Sequence, residues 1–258
     1  MVVPHAEPPA CAWRRIQLLG VPVDDLTMDE TLDAIDGLIA SGGIHQHVVV
    51  NVSKVVQADA DPSLRAVIEA CDLINADGQP ILWAARLLGT PLRERVAGVD
   101  LMARLFARAA DRGHRLYLLG ARPEIVAAVA ERLRREHPTV EIAGWRDGYW
   151  APDEEGEVVA AIAATRPDIL FVAFGSPAKE RFLARWKETI GAPFVMGVGG
   201  SFDVYAGRVQ RAPRWMRRTG LEWLYRVAQE PRRMWRRYLG DAPRFAWLVL
   251  KARARRRR

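Results

Sequence analysis

Apolar residues recur along this chain in two alternating rhythms. Short runs rich in β-branched and aromatic side chains read as buried strands. Longer stretches with apolar positions three and four apart read as amphipathic helices. Thr27 and Glu30 form a capping box ahead of Leu32, Ile35, Leu38 and Ile39, and Gly42–Gly43 stops that helix. The pattern predicts strands at His47–Val52, Leu73–Ala76, Leu116–Leu119, Val140–Trp145, Ile169–Phe174 and Phe194–Val198. Helices are predicted over about residues 54–71, 79–88, 101–112, 123–137, 155–165 and 178–190. There is no internal repeat, and low complexity is confined to the terminal arginines.

Strands alternating with helices predict an α/β fold, with a mostly parallel sheet covered by helices on both faces. Such sheets bind ligands beyond the carboxyl ends of their strands. Polar and glycine residues collect there: Asn51 and Ser53, Asp77, Gly120, Gly144 to Tyr149, Gly175 to Glu180, and Gly199 to Asp203. The strand beginnings carry nothing comparable.

Charge divides the chain. Residues 208–258 hold 17 basic and three acidic side chains, whereas residues 1–207 hold 21 basic and 28 acidic. Two parts are therefore expected: an α/β body over residues 1–207 and a basic, aromatic-rich helical appendage over residues 208–258. Four of the nine tryptophans lie in that appendage, interleaved with arginine. A merely solubilising tail has no need of large aromatics, so the appendage points to phosphate: nucleic acid, anionic lipid or a diphosphate. Two cysteines make no disulfide framework, which implies a reducing compartment. The first residues lack the apolar stretch of a signal peptide, and the run Phe245–Leu250 is far too short to span a bilayer.

Several strand-end residues carry candidate chemistry. Asp77 is placed to be a general base, or is a turn aspartate of the kind Asp-Gly pairs favour. Asn51, an amide in an apolar strand, needs a partner or a ligand. The glycine-rich turn at Gly197, Gly199 and Gly200 is a diphosphate cradle or a plain tight turn. Gly175 to Glu180 is an anion-favouring helix start or an ordinary loop. The five histidines show no metal spacing. Asp59-Ala60-Asp61, just before Pro62, reads as a helix junction, and no metal dependence is expected. Two other classes compete. A nucleic-acid binder leaves the strand-end cluster unexplained, and a nicotinamide oxidoreductase lacks the glycine fingerprint.

From Asn51 onward the chain resembles the WecG/TagA/CpsF family of bacterial glycosyltransferases. The resemblance rests on Ala76-Asp77-Gly78, Arg95 with Gly98-Val99-Asp100, Leu118-Leu119-Gly120, Gly148-Tyr149 and Gly175-Ser176-Pro177. It continues through Gly199-Gly200-Ser201-Phe202-Asp203, Ala206-Gly207, Arg211-Ala212-Pro213, the run Gly220 to Arg226, and Glu230-Pro231-Arg232. The resemblance implies a Rossmann-like body with a C-terminal appendage. It implies inverting, metal-independent transfer, without a cofactor, from a UDP-sugar to a polyprenyl-diphosphate-linked sugar in cell-surface polysaccharide synthesis. The sugar is a hexose or N-acetylhexosamine, with N-acetylmannosamine, its uronic acid and glucose all open. The implied place is the cytoplasmic face of the membrane, peripherally bound, with no nucleic-acid partner. By the same resemblance Asp77 is the base, and Asn51 and Arg95 orient substrate or stabilise the leaving phosphate. Tyr149 and Asp203 contact the nucleotide, with Gly199 and Gly200 beside it. Arg226, Arg233 and Arg236 close from the appendage onto the diphosphate. Self-association of the body is also implied, and we expect the appendage to order only on the membrane or in the monomer. Two positions depart from the family pattern. Lys179 stands where glutamine is usual, and Val49 where threonine is frequent. Both are expected to face the sugars.

Overall fold

The computed structural model describes residues 13–256 except 214, 217, 218 and 230, and at residues 226 and 231–239 it describes the backbone alone. A hairpin of β1 (Arg15–Leu18) and β2 (Val21–Asp24) comes first, followed by α1 (Met28–Ser41). Then come β3 (His45–Val50), α2 (Val52–Ala60), α3 (Pro62–Glu69), β4 (Leu73–Ala76), α4 (Gln79–Leu87) and α5 (Gly98–Arg112). The body continues with β5 (Arg115–Gly120), α6 (Pro123–Glu136), β6 (Glu141–Arg146), α7 (Glu155–Ala164) and β7 (Ile169–Ala173). It closes with α8 (Ala178–Ile190), β8 (Phe194–Gly197) and the short α9 (Ser201–Tyr205). Two further helices follow, α10 (Glu222–Gln229) and α11 (Pro231–Arg255).

Six strands build one sheet in the order β4-β3-β8-β7-β5-β6, every neighbouring pair parallel. The expected α/β architecture with helices on both faces is what the chain adopts. Strands covered on both sides have no reason to alternate in polarity, and β7 is apolar and buried at every position. Ile169 and Phe171 face the core made with α1, α5, α6 and α9, while Leu170 and Val172 face α7 and α8. The second face is split. One half packs β7 and β5 under α7 and α8, and the other packs β3 and β4 under α2, α3 and α4. The seam between the halves runs along β3 and β8.

Three local features differ from the pattern-based reading. The strand expected at His47–Val52 lies two residues earlier, because Asn51 is not in the strand: its Oδ1 accepts from Lys54 N (3.0 Å) and caps α2. The long helix expected over 54–71 is two helices. Asp61 caps the second and Pro62 occupies its first turn, as the junction reading implied. The β1–β2 hairpin was not anticipated. It turns on Leu19 and Gly20, both at positive φ, and is tied down through Asp24, which accepts from Arg15 and from Ile74 N.

The C-terminal helix returns to the body. α11 runs against α2, and Phe245 and Val249 are buried in the core that also holds Val55, Val56 and Ile81. Among the described residues no helix is long and apolar enough to cross a membrane.

Candidate active site

The carboxyl ends of β4, β3, β8 and β7 open into one cavity of about 1060 Å³. Asn51, Asp77, Arg95, Lys179, Gly199 and Gly200 all line it, although the sequence spreads them over 150 residues. A parallel sheet makes this convergence automatic, since every strand delivers its following loop to the same edge. Val49 lines the same space.

Asp77 follows β4 directly. Its own N–H donates to Val50 O (2.8 Å), and Val96 N donates to Ala76 O (3.0 Å), so the loop carrying Arg95 is stitched to the strand end. Asp77 is half-buried, and its Oδ2 accepts weakly from Gly98 N at 3.5 Å. Burial pushes the carboxyl above the ordinary aspartate range. Arg95 pulls it back, while Glu222 and Asp100 push it up again. A carboxylate so placed is a better proton acceptor than one in open water, which is what a general base requires. Arg95 itself bonds Glu222 (Nη1 to Oε2, 2.8 Å) at the start of α10. Arg211 pairs with Asp100 through both terminal guanidinium nitrogens, and its Nε lies 3.9 Å from the other oxygen of Glu222.

Where the two halves of the second face meet, a buried charge cluster closes the seam. Lys54 of α2 donates to Glu180 of α8 at 2.6 Å, both side chains 2% exposed. Lys179 lies 2.9 Å from the same carboxylate oxygen. Burial raises the Glu180 pKa, but the two ammonium groups outweigh it and hold the carboxyl at about 2. Lys179 reaches its place across Gly197, where a Cβ would come within 2.8 Å of the lysine Cδ; only glycine leaves that path open. Lys179 lines the cavity, with Glu180 as a partner.

The turn after β8 is less bare than its glycines suggest. The N–H groups of Val198 and Gly199 both point to Val172 O, and that of Ser201 to Val198 O. Asn51 borders the cavity as a helix cap, using Oδ1 for the cap and keeping its Nδ2 protons for another partner. Tyr149 and Asp203 do not join this group. Tyr149 is an exposed residue beyond β6, at the opposite edge of the sheet from Asp77, and Asp203 sits on α9 outside the lining. The side chains of Arg226, Arg233 and Arg236 lie outside the described residues.

Some of the lining was not assigned a role from sequence. Arg211 and Glu222 were visible only as members of short motifs. Lys54 carried no signal at all, because a lysine in a helix reads as a solvent-facing residue. The cavity mouth is apolar. Trp83 and Leu87 of α4, Trp223 and Leu224 of α10, and Leu250 of α11 line it with large side chains left exposed. Such a patch on a folded surface marks a binding face.

The family model described as Glycosyl transferase WecG/TagA/CpsF family matches residues 16–258. A relative from Bacillus spizizenii is named N-acetylglucosaminyldiphosphoundecaprenol N-acetyl-beta-D-mannosaminyltransferase. It is 38% identical over 204 residues, covering 79% of this chain and 78% of the relative.

Proposed function

Since the chain belongs to the WecG/TagA/CpsF family of glycosyl transferases, we propose that it moves a sugar from a UDP-sugar to a polyprenyl-diphosphate-linked saccharide. The observation that carries the reading is the composition of one cavity. A partly buried carboxylate, Asp77, and two arginines line it together with exposed indoles and leucines. The first suits proton removal beside a phosphate. The second suits a hydrocarbon chain, whose burial contributes about 0.8 kcal/mol per CH₂.

In this scheme the Asp77 carboxylate takes the proton of the acceptor hydroxyl. The freed oxygen attacks the anomeric carbon from the side opposite UDP, and the bond from that carbon to the diphosphate breaks. UDP leaves with the electron pair. Arg95, Arg211 and the Nδ2 protons of Asn51 stabilise the departing charge, as fixed donors do best in a site closed to water. Inversion converts an α-linked nucleotide sugar into a β-linked product, and the Bacillus relative is named for a β-linked transfer.

That relative's name also points to N-acetylmannosamine as the sugar and to an N-acetylglucosaminyl lipid diphosphate as the acceptor. The implied setting is the inner face of a bacterial membrane, in the synthesis of a surface polysaccharide. The test is a panel of UDP-sugars against a short-chain polyprenyl-diphosphate N-acetylglucosamine acceptor, with UDP release and product mass as readouts. UDP-N-acetylmannosamine is expected to be used best. Release of UDP from no member of the panel refutes the reading.

A further inference from the structure

Arg95, on the loop stitched to the end of the strand that carries the base, is not hydrogen-bonded to the base among the described residues. Among the described residues Arg95 makes its hydrogen bond to Glu222, 2.8 Å away on α10, and none to Asp77. Its charge is nevertheless the strongest electrostatic influence on Asp77 from any side chain. We infer that Glu222 is a positioning residue: by holding the Arg95 guanidinium on α10 it keeps that cation off the Asp77 carboxylate, so the base is free for the acceptor hydroxyl only while α10 is seated. This rests on the reading of Asp77 as the general base.

The physical argument starts from what Arg95 would otherwise do. A guanidinium next to a carboxylate forms a bidentate pair, and such a pair lowers an aspartate pKa by roughly 1–3 units. It also occupies the oxygens that must accept the substrate proton. Glu222 prevents this by offering a second carboxylate. Neither partner is a loose surface group: the Arg95 side chain is 17% exposed and that of Glu222 29%. The other Glu222 oxygen faces Arg211 Nε at 3.9 Å, and Arg211 is in turn anchored to Asp100.

The seat of α10 is built with care. Gly220 lies against the first turn of α4 at φ +77°, where a Cβ would come within 2.9 Å of Gln79 Cβ. Gln229 at the other end of the helix exchanges two hydrogen bonds with the backbone of Gln210, at 3.0 and 2.9 Å. The charged groups that act on Asp77 come from three directions. They are Arg95 from the loop before α5, Asp100 from α5, and Glu222 with Arg211 from the C-terminal segment. Lys54 of α2 and Lys179 of α8 line the same cavity and are tied to Glu180 of α8, not to α10.

The experiment follows the Asp77 carboxyl by NMR in full-length protein carrying ¹³C-labelled aspartate side chains. The resonance missing from Asp77→Asn identifies it. In Glu222→Gln its titration midpoint is expected to fall by about one pH unit or more, and in Glu222→Asp to fall less. Glu222→Gln is expected to lower the midpoint clearly more when Arg95 is present than in an Arg95→Gln background, where only the direct loss of the Glu222 charge acts. In transfer assays Glu222→Gln is expected to lower kcat tenfold or more and move the acid limb of its pH profile downward, leaving KM for the UDP-sugar unchanged. An unchanged Asp77 midpoint in Glu222→Gln with wild-type circular dichroism overturns the inference. So does a fall of the same size in the Arg95→Gln background. The titration uses no substrate, so its outcome is independent of whether a UDP-sugar is the donor.

Discussion

Asp77 owes its chemistry to neighbours that the sequence keeps apart: Gly98 twenty-one residues on, Arg95 just before it, and Glu222 in the C-terminal segment. Replacing Asp77 by Asn keeps size and polarity and removes the base. Turnover is expected to fall about 10²- to 10⁴-fold with UDP binding retained, measured by UDP release and by calorimetric titration with UDP. His47 is a second buried titratable residue, with a structural task. Its Nε2 lies 3.0 Å from Asn75 Oδ1, and Asn75 in turn donates to Thr31. Burial pushes the His47 pKa down to about 4. The folded state thus prefers neutral His47. The stability this gives is complete above pH 6.5 and is lost as pH falls toward 4, in all about 3 kcal/mol. Glu180 behaves as a depressed carboxylate, and its contribution fades only below about pH 4.5. Urea denaturation at pH 7 and pH 4 is expected to show a smaller acid loss in His47→Gln, by about 3 kcal/mol.

Among the elements, helix starts were the most legible. The Thr27–Glu30 capping box is present with both of its hydrogen bonds, at 2.9 and 3.3 Å. Asp61 and Pro62 divide α2 from α3 as their residue types dictate. Capping is a local matter, settled by backbone groups within four residues, so sequence suffices. Asn51 shows where local reading fails. Flanked by valines, it reads as part of a strand, and only the direction of the chain after Val50 makes it a cap. Its two tasks separate by mutation. Asn51→Ala is expected to lose about 1 kcal/mol through the cap, whereas Asn51→Asp keeps the cap and the stability. Transfer is expected to suffer in both, because Asp cannot donate to the leaving phosphate. Thermal unfolding beside UDP release checks the pair. The β1–β2 hairpin was missed because its strands are four residues long and gain stability from Asp24 and β4 rather than from their own pattern.

Across the whole molecule, the acidic body and basic C-terminal segment are joined by apolar contact as well as charge. α11 gives Phe245 and Val249 to the core while Trp247 and Leu250 stay exposed. Cutting the chain at about residue 241 would therefore strip core residues together with any membrane-facing ones. Substituting Trp247→Ser and Leu250→Ser is the cleaner test of whether this exposed face of α11 meets the membrane at which the resemblance places the protein. The melting temperature is expected to move little, since both side chains are exposed. Flotation with anionic vesicles at low salt is expected to drop clearly, and high salt to weaken what remains. Full flotation by the double variant would place the contact elsewhere on the protein.

Sequence alone was enough for the alternation of strands and helices after α1, the parallel sheet it implies, and the edge on which its loops gather. These follow from apolar period, caps and the chirality of crossover connections, all of which act over short stretches of chain. The charge asymmetry and the motif series were likewise legible from residue order. Folding alone decided which strand-end residues share a cavity: Asp77, Asn51, Lys179 and Arg95 do, and Tyr149 and Asp203 do not. It also decided that Lys54 is buried against Glu180 and that Glu222 takes hold of Arg95. Strand order within a sheet and the seating of a distant helix depend on long-range burial, which leaves no periodic trace in the residues themselves.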